Sequence, residues 1–93
     1  MISLQFVPRH SSDVRYRAVD DETIVVRQEA AEALVLNEVA GRILELVDGK
    51  RDVRAIIATL ESEYDIDAAA LGSDVEAYVC ELLELGVVQD AAD

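Results

Sequence analysis

The sequence predicts an α+β domain, a small antiparallel sheet followed by helices. Two observations carry that expectation. Apolar residues alternate at period two from Val14 to Ala18 ahead of a β-branched run at 23–27, and from Val39 onward they recur at helical spacing behind residues that favour helix starts.

Residues 1–12 contain Pro8 and then the polar His10-Ser11-Ser12. They read as a loosely held N-terminal arm in which Ile2, Leu4 and Phe6 have the alternation of a docking strand. The domain itself is expected over 13–90, with 91–93 as a tail. Val14, Tyr16 and Ala18 alternate with Arg15 and Arg17, the pattern of a strand buried on one face with its arginines outward. Asp20-Asp21-Glu22 supplies a turn, and the β-branched run from Thr23 to Arg27 suits a central strand. Residues 28–31 would then reverse the chain into 32–36. Local propensity alone leaves a helix open there, because Glu29-Ala30-Ala31-Glu32-Ala33-Leu34 is good helix material.

Asn37 is a good N-cap for a helix whose apolar face is Val39, Ile43, Leu46 and Val47, and Gly49 fits a left-handed stop behind it. Asp52 caps the next helix, with Val53, Ile56, Ile57, Leu60 and Tyr64 along one stripe. Asp67 opens a third, on which Leu71, Val75, Val79 and Leu82 face the core before Gly86 ends it. Ser73-Asp74-Val75-Glu76 also has capping-box form, so a start after Gly72 stays open.

At 93 residues the chain makes one domain with a small core, better suited to a surface groove than to an enclosed active site. Its 52% hydrophobic residues include only 4% aromatic, so the core is expected to be aliphatic. A net charge of −12 disfavours nucleic acid and anionic lipid as partners. Cys80 is the only cysteine, so no internal disulfide forms and a reducing cytoplasm is the expected compartment. No signal peptide or apolar run of membrane-spanning length is seen. His10 has no second ligand in view, Cys80 no evident base, and Asp20-Asp21-Glu22 lacks the alternating oxygen ligands and glycine of a calcium loop. These three read as structural. No phosphate-cradling loop, nucleophile elbow or metalloprotease helix occurs, and an enzyme is not expected.

The order of these pieces, DDETIVVRQEAAEALVLNEVAGRILELVDG over 20–49 and KRDVRAIIATLESEYDIDAAALGSDVEAYVCELLELGVV over 50–88, resembles the PqqD family, small peptide-recognition domains of peptide-maturation pathways. The resemblance spans roughly residues 13–88 and implies a strand at Ala33 to Leu36. The fold then becomes winged-helix-like, with a three-stranded antiparallel sheet followed by three helices. In that family a precursor's leader peptide adds as a strand beside the third strand, in a cleft walled by the third helix. Carried onto this sequence, the implied peptide-binding residues are Ala33, Leu34, Val35 and Leu36 on the strand and Asp74, Ala77, Tyr78 and Glu81 on the helix.

The physics of a sheet edge suits that role, since unpaired N–H and C=O groups template another strand and side chains lining the cleft select it. Ala77 would leave room for an apolar anchor, Tyr78 offers a ring and a hydroxyl, and Asp74 with Glu81 would favour a basic leader residue. The ordinary reading of the same residues is helix packing for Ala77 and Tyr78 and a solvated face for Asp74 and Glu81.

The resemblance implies a non-catalytic binder with no cofactor of its own. It would hold the precursor peptide for a maturation enzyme, in that family often a radical S-adenosylmethionine protein, and so raise its effective concentration. It leaves open whether the product is a quinone cofactor, as in pyrroloquinoline quinone biosynthesis, a lasso peptide or another modified peptide, and whether the edge pairs with a second copy as a homodimer. The alternative is a winged-helix DNA-binding regulator. Against it, Asp74, Glu76, Glu81 and Glu84 crowd the helix that would enter a groove, and no Lys or Arg follows Arg54. An acyl-carrier-like protein shares the size and acidity, but Leu71-Gly72-Ser73-Asp74 lacks the Asp-Ser-Leu order of that family's attachment site.

Overall fold

The described elements run β1 (Pro8–His10), β2 (Val14–Val19), β3 (Glu22–Arg27), β4 (Glu32–Leu36), α1 (Glu38–Leu46), α2 (Val53–Glu63), α3 (Ala68–Glu84) and β5 (Val88–Asp90). The computed structural model describes residues 2–65 and 67–92, so Met1 of the arm and Asp93 of the tail lie outside it. β2, β3 and β4 form the expected three-stranded antiparallel sheet, with Tyr16 opposite Val25 and Val25 opposite Leu34. The helix-forming run at 29–34 is held as turn and strand because Leu34 and Leu36 pack against the core. That choice places Ala31 at φ 53°, a left-handed backbone costing about 1–2 kcal/mol for a residue with a Cβ.

Each helix begins where its capping residue predicts. Asn37 accepts from the Ala40 N–H, Asp52 from Ala55 and Asp67 from Ala69. α1 ends at Leu46, short of Gly49, which takes φ 76° in the turn that follows. There the N–H groups of Arg51 and Lys50 donate to the Asp48 carboxylate and hold its pKa below the ordinary value. α3 runs unbroken through Gly72, so the alternative start at Ser73 is not used. Leu71, 1% exposed, belongs to the same buried stripe as Val75, Val79 and Leu82. Its far end is a Schellman motif, in which Gly86 at φ 77° donates to Leu83 and Val87 to Leu82.

Two expectations are corrected. The N-terminal arm is docked rather than loose, and its strand is Pro8–His10, paired with β5, instead of one built on Ile2, Leu4 and Phe6. The carbonyls of Phe6 and Leu4 accept from Val53 and Arg54, satisfying donors that α2 leaves unpaired in its first turn. In β2 only Val14 is buried, while Tyr16 is 41% exposed and Ala18 is exposed too, because α1 packs on β3 and β4. His10 meets the Tyr16 ring edge-on at 5.3 Å, and its Nε2 donates to the Leu44 carbonyl.

The core is aliphatic as expected, centred on Val25, Ile43, Leu44, Ile56, Leu60, Val75 and Val79. α1 crosses the sheet at Gly41, which lies directly on Thr23. Arg27, on the same face at the far end of β3, fixes α3. It pairs with Asp13 at 3.2 Å and donates to the Leu85 carbonyl, placing positive charge at the negative end of α3.

Candidate functional site

β4 ends the sheet, so peptide groups along its outer side have no ladder partner. Edge strands are usually blunted by charge or proline. β2, the opposite edge, carries Arg15 and Arg17, whereas Ala33-Leu34-Val35-Leu36 carries neither charge nor proline. Beside this unprotected edge a cleft of about 130 Å³ opens between β4 and α3. Val35, Leu36 and Asn37 form one wall, Tyr78, Glu81, Leu82 and Leu85 the other, and Ala40 of α1 also lines it. A larger hollow of about 350 Å³ lies between the two chain ends, lined by residues such as Ile2, Phe6 and Asp90. It borders neither β4 nor α3, so size does not select the site.

One side chain ties the cleft together. Asn37 caps α1 through Oδ1 and donates from Nδ2 to the Tyr78 hydroxyl at 3.0 Å, which fixes the ring from α3 against the start of α1. Glu81 is exposed at the cleft, and no basic side chain lines it. Asp74 and Glu81 make no ion pair among the described residues, so their field is uncompensated locally.

Of the residues expected from sequence, Val35, Leu36, Tyr78 and Glu81 line this cleft together. Leu34 is half-buried on the core face, while Ala33 is exposed and on the opposite face. Asp74 and Ala77 are exposed on α3 outside the hollow, Asp74 about one turn before Tyr78. Asn37, Ala40, Leu82 and Leu85 were not anticipated as lining residues. Helical spacing from Tyr78 points to two of them, since 78, 82 and 85 share a face. Leu85 is 40% exposed, an apolar side chain left open at the end of α3.

Among the described residues, no group of three or more His, Cys, Asp or Glu side chains is placed to hold a metal ion, and no helix is long and apolar enough to cross a membrane. Cys80 is half-buried on α3.

Residues 22–88 match the family model for coenzyme PQQ synthesis protein D, PqqD. A protein of Kluyvera intermedia called PqqA binding protein is 38% identical over 81 residues, covering 87% of this chain and 85% of its own. Another of that name, from Rhodopseudomonas palustris strain HaA2, is 33% identical over 91 residues, 98% of this chain and 86% of its own. Two solved structures share the fold. TbiB1 in complex with the TbiA(beta) leader peptide matches with a TM-score of 0.79 at 20% identity, covering 87% of this chain and 94% of its own. Lasso peptide synthetase B1 complexed with the leader peptide matches with 0.77 at 21%, covering 88% and 96%. The family match runs from the first residue of β3 to the first residue of β5, taking in the elements that build the cleft, and this chain belongs to the PqqD family.

Proposed function

We propose that this chain is a non-catalytic binding protein that takes the leader peptide of a ribosomally made precursor as an added strand on β4 and presents it to a maturation enzyme. The observation that carries this reading is the proline-free edge of β4, uncharged from Ala33 to Leu36, standing open beside a cleft of about 130 Å³. Main-chain pairing along that edge supplies affinity, and alternate leader side chains point into the cleft. There Leu36, Ala40, Leu82 and Leu85 suit an apolar anchor, and Glu81, with Asp74 farther along α3, suits a lysine or arginine. The cleft is smaller than the roughly 300–1,000 Å³ typical of small-molecule sites, which favours holding a side chain over turning over a substrate. Two fold neighbours were solved with leader peptides, and the relatives are called PqqA binding proteins, so a PqqA-like precursor is the first candidate. The enzyme that receives it would be of the radical S-adenosylmethionine class, acting in the cytoplasm.

The test is an amide NMR titration of the labelled chain with synthetic leader peptides encoded beside its gene. Saturable shifts confined to residues 33–36 and 74–85 are expected. Leu85→Asp, at an exposed position, should weaken binding about tenfold or more, as removal of an interface anchor does. Shifts elsewhere, no response to any leader, or pairing of β4 with a second copy that leaders do not displace would each overturn the reading.

A further inference from the structure

We infer that the face of the sheet turned away from the helices is a docking surface for a second protein that presents carboxylates around an apolar centre, and that this protein is the enzyme receiving the peptide. The inference rests on the peptide-presenting role proposed above and adds a surface to it.

Strand register places Arg15 and Arg17 of β2, Ile24 and Val26 of β3, and Val35 of β4 on one face, opposite the face that carries Val25 and Leu34. The solvent side of an antiparallel sheet normally reads polar. Here Ile24 and Val26 are each 39% exposed and Val35 60%, and Arg17, Ile24 and Val35 form one cross-strand row. A shallow hollow of about 230 Å³ lies beside them, bounded by Arg15, Tyr16 and Arg17.

The charges around this patch say what would cover it. The chain has 20 acidic residues against 8 basic ones, so carboxylate partners are plentiful: Arg27 and Arg51 each pair with one and Arg42 with two. Arg15 and Arg17 make no ion pair among the described residues, and Arg15 bonds only to the backbone carbonyls of Ser12 and Val14. Arginines flanking exposed branched side chains have the composition of a protein interface, and their complement is an acidic rim. Two arginines on a chain of net charge −12 are too few to hold an anionic bilayer, where clusters of about 4–8 basic residues are the usual signature.

Geometry points to the peptide-receiving enzyme as the partner. A leader strand on β4 would occupy the edge and the helix-side cleft, leaving the outer face free. Its alternate side chains would emerge beside Val35, in the same row as Ile24, so a protein seated on this face would touch the bound peptide as well. Loading the leader should therefore tighten the enzyme's grip.

The experiment measures affinity for the purified modification enzyme encoded beside this chain's gene, with and without leader. It compares the native chain, the Arg15→Glu/Arg17→Glu double variant and Ile24→Ser. An amide spectrum confirms each fold, and leader affinity is measured on each in parallel. Enzyme binding is expected to weaken about tenfold or more in the double variant, with a smaller salt dependence, while leader affinity stays within about twofold. Unchanged enzyme affinity in both variants overturns the inference. So does failure of the native chain to bind the enzyme, binding of the face to phosphatidylserine vesicles in its place, or self-association that the same substitutions abolish. If native leader binding is intact in those cases, this inference alone fails; if it is absent, the peptide-presenting role fails with it.

Discussion

α1 lies against the sheet at Gly41, and a Cβ added there would come well inside the van der Waals contact distance of Thr23 Oγ1. Thr23 is 4% exposed on the central strand, and its β-branched side chain is stiff at χ1, so it has little freedom to swing aside. Gly41→Ala is expected to cost about 1–3 kcal/mol despite alanine's better helix propensity. Adding Thr23→Ala should recover most of that loss. Urea unfolding of the two variants measures both steps, and a single variant as stable as the native chain would refute the close approach. Asn37 shows what a residue's local chemistry makes legible. Its role as a cap follows from the few residues around it, whereas its bond to Tyr78, 41 positions on, has no local trace.

At the scale of elements, the helix starts were legible because Asn37, Asp52 and Asp67 bond to backbone within three residues of themselves. β4 was not legible from propensity, since its residues prefer a helix until Leu34 and Leu36 find the core; the family resemblance, not the local pattern, placed it. β1 and β5 escaped altogether. A three-residue strand has no period to read, and the contact from Ser11 to Gly86 spans 75 positions. The docking of residues 4–6 on α2 was equally invisible, being made through backbone carbonyls that every sequence possesses. Truncation before Val7 is expected to cost about 1–3 kcal/mol by removing acceptors from the Val53 and Arg54 amides together with the Phe6 contact. Hydrogen exchange should then accelerate at those two amides while β3 stays protected; unchanged exchange there would mean the segment contributes no cap.

For the molecule as a whole, charge balance sets how stability responds to acid. The bidentate bond from Arg42 of α1, at 2.8 and 2.6 Å, holds the Glu63 carboxyl of α2 below its ordinary pKa, and the Arg51 and Lys50 amides do the same for Asp48. A carboxyl depressed in the folded state adds stability above its unfolded pKa, and that contribution disappears as pH falls through the lower folded value. The native chain should therefore melt higher than an Asp48→Asn/Glu63→Gln variant at neutral pH, with the gap closing below about pH 4. Thermal melts of both chains across that range decide it, and a gap independent of pH would mean that neither carboxylate contributes through its charge. The pairing of Pro8 with Asp90, and the Ala91 N–H bond to Val7 at 2.8 Å, brings the two ends of the domain side by side. Joined by a short linker and reopened at the exposed Asp20-Asp21 hairpin, the chain would be a circular permutant with the same contacts. A companion domain grafted at either end would depart from nearly the same point in space.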